Sequence, residues 1–562
     1  MAVPITQPIM TIPITQAIVE FLKAQDIRYI FGKVGEDILP LLDYIASQDS
    51  IKFISTYREE TAVFMADGYA RVTGTPAIVL VSGGTGASQT IAAMAQAFYD
   101  GSPVILLAGE LPMAHINKEE SITRGFKQEA LFEKLIRSSH RVSDPHRTVE
   151  SLEQAYRSAA SGKKGPVYWG IPRDLLVLET PEKVRHHSQF MSSGVGSGDP
   201  ELVRRASGLL IESQSPVILL GGGVIWSRAA AEAMELAEFL FAPIVTSRGK
   251  SGIVPDDYPL SIGGLGSKAN KVALQTVAEA DVLIAFGCTF NDRTTFGFSR
   301  EIFSPNVKII QVDIDPRQIG RNYAIELGIV GDARMVLKDI LSFLSQVGAE
   351  KWPSRVIHRI QRVWERKEAW SSEWTRLTRS GDIPIRRLRL LKDIVDEVGR
   401  EGIIFGEIKW KYCLNTSYFP LIEADDFALP GAHLGFAIGA KMAHPARPVA
   451  AVLGDGQFIT ALTELAAAVE HRIPILAVVA RNGCYGQAKA TQTQFYDGRY
   501  IGVDHPFPNY ADVALSLGAY AERVETPTDI RPALRRALES QRPAVIEVVV
   551  SPSVGDLKPI FD

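Results

Sequence analysis

The feature that most constrains the fold is an alternation of apolar runs with segments of helical periodicity along almost the whole chain. The runs are nearly continuous in apolar residues, as expected for strands covered on both faces of a parallel sheet. Alternation of such strands with helices is typical of α/β proteins. Nine runs read as buried strands: "TPAIVLVSGG" (75–84), "SPVILLAGE" (102–110), "GPVYWGIP" (165–172), "SPVILLGGG" (215–223), "DVLIAFG" (281–287), "KIIQVDIDP" (308–316), "PVAAVLGDG" (448–456), "PILAVVARNG" (474–483) and "PAVIEVVVS" (543–551). We therefore expect an α/β fold built from doubly wound parallel sheets.

Two stretches interrupt this rhythm and suggest domain boundaries. Residues 186–201 are polar and rich in Gly and Ser, which is typical of a linker. Residues 351–391 are rich in Arg, Glu and Trp, and we interpret them as a surface connector whose basic residues form a solvated helix face. The predicted domains are then 10–185, 195–350 and 385–550, and their similar size suggests a shared plan.

Composition excludes several classes of protein. The net charge of −4 gives no reason to expect a nucleic-acid or membrane partner. No apolar run is long enough for a membrane span, and the N-terminus lacks the basic region of a signal peptide. The three cysteines, Cys288, Cys413 and Cys484, are far apart, which argues against a disulfide framework or a zinc site. We expect a cytoplasmic protein.

One strand run ends in a motif that suits a phosphate ligand. "PVAAVLGDGQF" leads into Gly454, Asp455, Gly456 and Gln457, and we predict a helix beginning near Ile459. Glycines let a backbone approach a ligand closely, and the start of a helix favours phosphate oxygens. A carboxylate beside a phosphate is unfavourable unless a cation lies between them. Mg²⁺ fits, because it shares oxygen ligands between protein and phosphates.

A second motif follows one helix and one strand later. "IPILAVVA" returns as a strand to Asn482 and Gly483. In a right-handed βαβ unit the ends of adjacent strands lie at the same sheet edge, so Asp455 and Asn482 are expected to meet. Asn482 offers a neutral oxygen ligand, and the backbone carbonyl of Cys484 a third. The alternative is two ordinary turns, while "GGGVIWS" (221–227) is not a dinucleotide fingerprint and no P-loop occurs.

These paired motifs resemble the cofactor motif of thiamine-diphosphate-dependent enzymes of the acetolactate synthase, pyruvate oxidase and benzoylformate decarboxylase family. The resemblance implies thiamine diphosphate and Mg²⁺ as cofactors. "TYREETAVFMADGYARVTG" (56–74) resembles the stretch whose glutamate activates the cofactor, which implies that role for Glu59. The alternative is that Glu59 and Glu60 are acids favoured at a helix N-terminus by the helix dipole.

The resemblance covers nearly the whole chain. "VSGGTGAS" (81–88) matches a glycine turn that includes Gly84, and "GFKQEALF" (125–132) matches a segment whose glutamine, here Gln128, faces the substrate. "LIAFGCTFNDRTTFG" (283–297) resembles the central domain of acetolactate synthases, and "QFYDGRYIG" (494–502) resembles their loop after the metal site.

The family organisation implies Pyr, central and PP domains and an active site shared between subunits. Glu59 of one subunit would reach the cofactor held by Asp455 and Asn482 of another, which makes a homodimer the minimum and a homotetramer common. Asp292 and Arg293 resemble a flavin-binding run. Whether the central domain holds FAD, ADP or neither stays open, because many relatives keep the fold and lose the flavin.

The substrate side departs from the family pattern. In "FGKVGEDILP" (31–40), Glu36 and Asp37 either place acid near the thiazolium ring or cap the next helix. In "KWKYCLNT" (409–416), the opening Lys-Trp-Lys either binds an anionic substrate or faces solvent; its residues are Lys409, Trp410 and Lys411.

The loop that props the cofactor also differs. "ALPGAHLGFAIGAKMA" (428–443) aligns with the segment whose large apolar residue props the cofactor in its bent form. That slot falls on Pro430, with Leu429 and Leu434 adjacent. The "GFAIGA" ending is similar to 2-hydroxyacyl-CoA and oxalyl-CoA lyases, although the match is partial.

The resemblance implies a carbon–carbon bond lyase or carboligase similar to acetolactate synthase, acting on short 2-oxo acids through an enamine. One alternative is a lyase for 2-hydroxyacyl-CoA thioesters or, like benzaldehyde lyase, for hydroxy ketones. A second alternative is a catalytically inactive relative, against which the presence of Glu59, Asp455 and Asn482 argues.

Overall fold

The computed structural model describes residues 11–123, 125–181, 184–192, 196–250, 252–255, 257–266, 271–348, 354–406, 421–422 and 429–552. The chain divides into two compact units. The first comprises Met1–Ser193, Asp426–Pro445 and Ala461–His471. The second comprises Gly194–Asp425, Ala446–Thr460 and Arg472–Asp562.

Most strands are short and almost fully buried, as their apolar sequences require. In chain order they are β1 (Ile12–Pro13), β2 (Tyr29–Gly32), β3 (Lys52–Ser55), β4 (Ala77–Val81), β5 (Val104–Glu110), β6 (Ser138–Arg141), β7 (Val167–Pro172), β8 (Glu179–Thr180), β9 (Pro216–Leu220), β10 (Ile244–Thr246), β11 (Ser261–Gly264), β12 (Val282–Phe286), β13 (Lys308–Asp313), β14 (Leu327–Val330), β15 (Ile403–Gly406), β16 (Leu421–Ile422), β17 (Val449–Gly454), β18 (Leu476–Arg481), β19 (Tyr520–Val524) and β20 (Ala544–Val549). Each of the nine predicted strand runs contains one of these strands.

The helices alternate with the strands. They are α1 (Ile14–Ala24), α2 (Leu39–Ala46), α3 (Glu59–Thr73), α4 (Thr85–Gln89), α5 (Ile91–Asp100), α6 (Gln128–Glu133), α7 (Thr148–Ala160), α8 (Pro200–Glu212), α9 (Gly222–Ser227), α10 (Ala230–Leu240), α11 (Lys271–Ala278), α12 (Ala333–Gln346), α13 (Ser354–Thr378), α14 (Arg387–Val398), α15 (Ala432–Ala443), α16 (Asp455–Phe458), α17 (Leu462–Glu470), α18 (Gly486–Phe495), α19 (Tyr510–Ser516) and α20 (Ile530–Glu539). Within the described ranges, none combines the length and apolarity that crossing a bilayer requires.

The first unit contains one six-stranded parallel sheet with the order β3-β2-β4-β5-β7-β6. Strand order reverses between β2 and β4, and ligands of open α/β sheets bind at the carboxyl ends of strands at such a switch point. The turns that follow β2, β3 and β4 lie at that edge. They carry Lys33, Glu59 and Gly84.

The second unit contains two six-stranded parallel sheets. Their orders are β11-β10-β9-β12-β13-β14 and β16-β15-β17-β18-β20-β19. The second of these sheets has the same relative strand order as the sheet of the first unit, whereas the middle sheet of the chain follows a different order. The predicted α/β fold of doubly wound parallel sheets is confirmed.

In the first unit, α15 packs unusually close to α3 because glycines remove side chains from the contact. A Cβ on Gly439 would stand 1.9 Å from the carbonyl oxygen of Met65, and one on Gly435 would stand 2.4 Å from Cβ of Phe64. On the opposite helix, a Cβ on Gly68 would meet Cα of Phe436 at 2.3 Å. The middle of α15 therefore lies against the middle of α3, the helix that begins at Glu59.

The interpretation of residues 351–391 as a connector with a solvated basic face is wrong for Arg359. Its side chain is buried in the second unit and donates to the backbone carbonyls of Pro216 and Thr276, both at 2.9 Å. Burial lowers its pKa to about 10. The charged composition of this segment suggested exposure to solvent. An arginine can instead be buried when its N–H groups donate to backbone carbonyls of neighbouring elements and not to water.

Candidate active site

The strongest candidate site lies in the second unit, where β17 and β18 end side by side. Asp455 follows β17, Asn482 follows β18, and the two strands are paired in parallel up to Gly454 and Ala480. The carboxylate of Asp455 accepts hydrogen bonds from the backbone N–H groups of Asn482 at 2.9 Å, Gly483 at 2.7 Å and Gly456 at 2.9 Å. The structure therefore brings the two motifs together around one carboxylate.

The helical turn at this site begins earlier than the sequence indicated. The helix predicted near Ile459 is part of a longer helical run: α16 starts at Asp455, a 3₁₀ turn spans Ile459–Ala461, and α17 starts at Leu462. The early start has a local cause, because the side-chain carbonyl of Gln457 accepts a hydrogen bond from the N–H of Gly454 at 3.0 Å. That bond satisfies one of the N–H groups that a helix start leaves unpaired.

The electrostatic environment of Asp455 favours a cation. The residue is only 2% exposed, and burial raises the pKa of its carboxyl above the ordinary value, although the N–H groups of Gly483, Asn482 and Gly456 oppose this shift. A divalent cation placed against the carboxylate would stabilise the ionised form.

The residues at this edge fit a magnesium diphosphate. A Cβ built on Gly483 would meet nothing within 4 Å, and one on Gly454 would meet only Oε1 of Gln457 at 4.0 Å, so the backbone is open to a ligand there. A Cβ on Gly456 would instead collide with the ring of Tyr485 at 2.3 Å. The described ranges contain no cluster of three His, Cys, Asp or Glu residues that could hold a metal alone. Mg²⁺ suits a site with few protein ligands because phosphate oxygens complete its octahedron.

The amide of Asn482 and the residue that follows Gly483 are held by the local backbone. Oδ1 of Asn482 accepts a hydrogen bond from the N–H of Cys484 at 3.2 Å. Cys484 is buried and forms an antiparallel bridge with Asp504. These bonds give the predicted ligands Asn482 and Cys484 a defined position.

Two residues that support the site were not anticipated from the sequence. The hydroxyl of the fully buried Tyr510 donates to the backbone carbonyl of Asp455 at 2.7 Å. The buried carboxylate of Glu547 accepts from Arg481 at 2.6 Å and from the N–H of Ala511 at 3.1 Å, which ties β18 to the helix that begins at Tyr510. No local motif marks Tyr510, because it lies 55 positions from its partner.

The first unit holds the predicted activating glutamate at its sheet edge. Glu59 is the first residue of α3 and is 6% exposed. Its Oε2 accepts no hydrogen bond from the described residues, and the Lys33 ammonium lies 3.5 Å away. A Cβ on Gly86 would stand 3.4 Å from Oε1 of Glu59, so a glycine provides the room for this carboxylate.

The predicted substrate-facing residue, Gln128, uses both ends of its amide within the fold. Its Oε1 accepts from the N–H of Gly84 at 2.6 Å, and its Nε2 donates to the carbonyl of Gly109 at 3.0 Å. With 3% exposure, the side chain ties the turn after β4 to the end of β5.

Asp37 also holds the glycine turn after β4, through a neighbouring backbone N–H group. Its Oδ2 accepts from the N–H of Gly83 at 2.6 Å, and a Cβ on Gly109 would stand 2.0 Å from that oxygen. The side chain therefore fastens the glycine turn after β4, and α2, the next helix, starts with no side-chain cap hydrogen bond, while Glu36 is exposed.

The remaining predicted residues lie in α15, in the turns before it and after β12, or outside the described residues. Leu434 is fully buried within α15, and Pro430 is exposed in the turn before it. Asp292 and Arg293 lie in a turn after β12. The Lys-Trp-Lys run at 409–411 lies outside the described residues, as does Cys413.

Comparison with known proteins agrees with this arrangement. Three family profiles match the chain: the N-terminal TPP binding domain of thiamine pyrophosphate enzymes at residues 12–135, the central domain at 203–340 and the C-terminal TPP binding domain at 415–548. The chain belongs to the family of thiamine-pyrophosphate-dependent enzymes, and within it the chain is of the acetolactate-synthase-like type.

Individual relatives match over nearly their full length. A probable acetolactate synthase large subunit of Methanocaldococcus jannaschii is 32% identical, over 96% of this chain and 92% of the relative. Acetolactate synthase isozyme 3 large subunit of Escherichia coli is 27% identical, over 94% and 92%. A sulfoacetaldehyde acetyltransferase of Alcaligenes xylosoxydans xylosoxydans is 29% identical, over 96% and 94%.

Proposed function

We propose that this enzyme is a carboligase that joins two short 2-oxo acids with loss of CO₂, and that it uses thiamine diphosphate with Mg²⁺. For pyruvate, two pyruvate ions and one proton would give one acetolactate ion and one CO₂. The observation that carries the proposal is the buried Asp455 carboxylate, held by backbone N–H groups from both its own loop and the Asn482–Gly483 loop. Full-length similarity to acetolactate synthase large subunits supports the choice of reaction.

Each residue of the site has a distinct task under this proposal. Asp455 and the side-chain oxygen of Asn482 would bind Mg²⁺ together with the Cys484 carbonyl, and Gly454 and Gly483 would leave room for the phosphates. Gln457 would keep the Gly454 turn in place.

Thiamine diphosphate, when bound, supplies a carbon nucleophile and an electron sink for cleaving the bond next to a ketone. Glu59 would hold and move a proton at the ring nitrogen of the aminopyrimidine, because it is a buried acid whose Oε2 accepts no hydrogen bond from the described residues. Gln128 would hold the backbones of Gly84 and Gly109 at a fixed separation through its two hydrogen bonds, so that the backbone beside the reacting atoms stays fixed.

The test is product analysis after incubation with pyruvate, thiamine diphosphate and Mg²⁺. We expect acetolactate by mass spectrometry, together with acetoin-type colour after acid treatment, and no product from Glu59→Gln. Asp49→Asn, a change at an exposed carboxylate, is the matched control and should leave the rate unchanged. Full cofactor binding with no ligated product from any pair of 2-oxo acids would refute the carboligase assignment.

Acyl transfer from a different donor is a second candidate. The relatives named sulfoacetaldehyde acetyltransferase are 28% and 29% identical to this chain, within the range of the acetolactate synthases. Sulfoacetaldehyde should therefore be included in the substrate screen. Aldehyde and formyl-CoA from a 2-hydroxyacyl-CoA would instead indicate the lyase alternative.

We further infer a homodimer, or a homotetramer built from it, in which Glu59 serves the cofactor bound to the partner subunit. Exposed apolar residues at the end of α18 and in the segment after it support an additional protein contact, since Phe495 is 68% exposed and Ile501 is 81% exposed. Sedimentation of the holoenzyme tests this inference, and a monomer with full activity would contradict it. An absorbance spectrum of the purified protein tests whether the central domain binds FAD.

A further inference from the structure

Helix α17 and the residue after it hold the loop around Glu59 by hydrogen bonds. The proposed mechanism does not use these contacts. Both the helix and the loop belong to the first unit. The loop runs from Ser55, the last residue of β3, to Thr61 in the first turn of α3, and Glu59 lies between those two residues.

One end of the loop is held by a buried carboxyl group. Oε1 of Glu464 accepts a hydrogen bond from the hydroxyl of Thr61 at 3.0 Å, and Oε2 accepts from the hydroxyl of Thr463 at 2.9 Å. Thr61 is fully buried and Glu464 is 3% exposed, so water does not compete for these bonds. Burial also raises the pKa of the Glu464 carboxyl.

The other end of the loop is held by the end of the same helix. The hydroxyl of Ser55 donates to Glu470 at 3.1 Å, and Nε2 of His471 lies 2.8 Å from the carbonyl oxygen of Ser55. Interaction with the Glu470 carboxylate also raises the pKa of the Tyr57 hydroxyl. The loop is thus fastened on both sides of Glu59.

The Glu59 side chain has little else to define its position. Oε2 has no hydrogen-bond donor among the described residues, and the Lys33 ammonium at 3.5 Å is partly exposed. The location of its carboxylate therefore depends on where the backbone of residues 55–61 is held.

We propose that α17 is the positioning element of the catalytic glutamate and that the Glu464–Thr61 hydrogen bond is its main contact. This inference rests on the proposed function, because it requires Glu59 to act on bound thiamine diphosphate. Glu464 and Thr61 are positioning residues, since they act through the backbone and touch neither substrate nor cofactor. Displacements of about 1 Å in a catalytic group cost up to about a hundredfold in rate, so a loosened loop should have a measurable effect.

The decisive experiment measures exchange of the C2 proton of thiamine diphosphate bound to the holoenzyme, by quenched-flow NMR in D₂O. Thr61→Val removes the hydroxyl and keeps the shape of the side chain. We expect C2-proton exchange and kcat to fall together by about tenfold or more, with KM and cofactor affinity within about twofold of wild type. Thr61→Ser keeps the hydroxyl and should restore both rates.

A second variant, at an exposed residue, distinguishes a loss of positioning from misfolding caused by a buried substitution. Glu470→Gln changes only the exposed contact between α17 and Ser55. We expect it to cause a smaller fall in C2-proton exchange than Thr61→Val does, with unchanged thermal stability. Amide hydrogen exchange of residues 55–61 without cofactor should accelerate in Thr61→Val and Glu470→Gln, but not in the Asp49→Asn control.

The two proposals fail in different ways. If the wild-type protein does not accelerate C2-proton exchange, or if Glu59→Gln leaves it unchanged, the proposed function is wrong. If Glu59→Gln abolishes exchange while a folded Thr61→Val protein exchanges at the wild-type rate, the positioning role of α17 is wrong and the proposed function stands.

Discussion

The hydroxyl of Tyr510 donates a hydrogen bond to the backbone carbonyl of Asp455 at 2.7 Å, so a residue far along the chain fixes the backbone of the candidate metal ligand. Tyr510→Phe removes this bond and leaves a buried carbonyl without its donor. We expect a loss of about 1 kcal/mol, seen as a rise of about fivefold in the dissociation constant for thiamine diphosphate with Mg²⁺. Calorimetric titration measures it.

Tyr44→Phe is the control for this prediction, because Tyr44 is a half-buried residue of α2 in the other unit. Equal affinity of Tyr510→Phe and wild type would mean that the backbone of Asp455 needs no such support.

Asp455→Ala should weaken metal-dependent cofactor binding by about a hundredfold or more. The change removes a buried charge that would bind Mg²⁺ and also releases the N–H groups of Asn482 and Gly483. Losing one partner of a buried ionic contact costs about 3 kcal/mol or more, which corresponds to about a hundredfold in affinity. A Mg²⁺ titration at fixed thiamine diphosphate, followed by protein fluorescence, provides the measurement. Unchanged affinity in a folded variant would rule out the site.

The close approach of α15 to α3 makes a sharp prediction about stability. Gly439→Ala places a Cβ 1.9 Å from the Met65 carbonyl oxygen, so the helices must separate, at a cost of about 1–3 kcal/mol or more in the free energy of unfolding. Gly208→Ala is the matched control, because Gly208 lies within α8 and a Cβ there meets nothing within 4 Å. That control should gain about 0.5–1 kcal/mol. Urea unfolding of both variants compares them directly, and equal effects would contradict the packing.

Glu110, at the end of β5, predicts a pH-dependent contribution to stability. Burial raises the pKa of its carboxyl, although the Tyr168 hydroxyl donates a hydrogen bond to it. Below the ordinary pKa of a glutamate, the group is protonated in both the folded and the unfolded state and contributes no pH dependence. As the pH rises above that value, the unfolded state loses the proton first, and the fold is destabilised.

Glu110→Gln removes this penalty. The variant should therefore gain stability relative to wild type as the pH rises from about 4 to 7, and the gain should vanish in acid. Urea unfolding at several pH values tests the sign, and a gain that is largest in acid would be inconsistent with the raised pKa.

The sequence predicted the central strands well and the peripheral ones poorly. The apolar runs around β5 and β18 are buried on both faces, so composition alone marks them. The strand β6 reads Ser-Ser-His-Arg and is half-buried throughout, because it lies at a sheet edge, and nothing in its composition distinguishes it from a loop. Only its pairing with β7 makes it a strand.

In the candidate site, likewise, the sequence predicted some contacts and not others. Asp455 and Asn482 could be brought together from sequence because strand–helix–strand handedness places their loops at one edge. The hydrogen bonds from Tyr510 to Asp455 and from Thr61 to Glu464 span 55 and 403 positions, and no periodic pattern encodes contacts of that range. Their detection requires the assembled fold.

The first and last sheets share one strand order, and the middle sheet does not. The acid of the first sheet follows its second strand along the chain, whereas the acid of the last sheet follows its third. Under the proposed function, one scaffold, present twice in a single polypeptide, would supply the acid that handles a proton in one copy and the residues that anchor the cofactor in the other. Neither copy would then need a complete set of functional groups, because each would contribute a different part of the same centre.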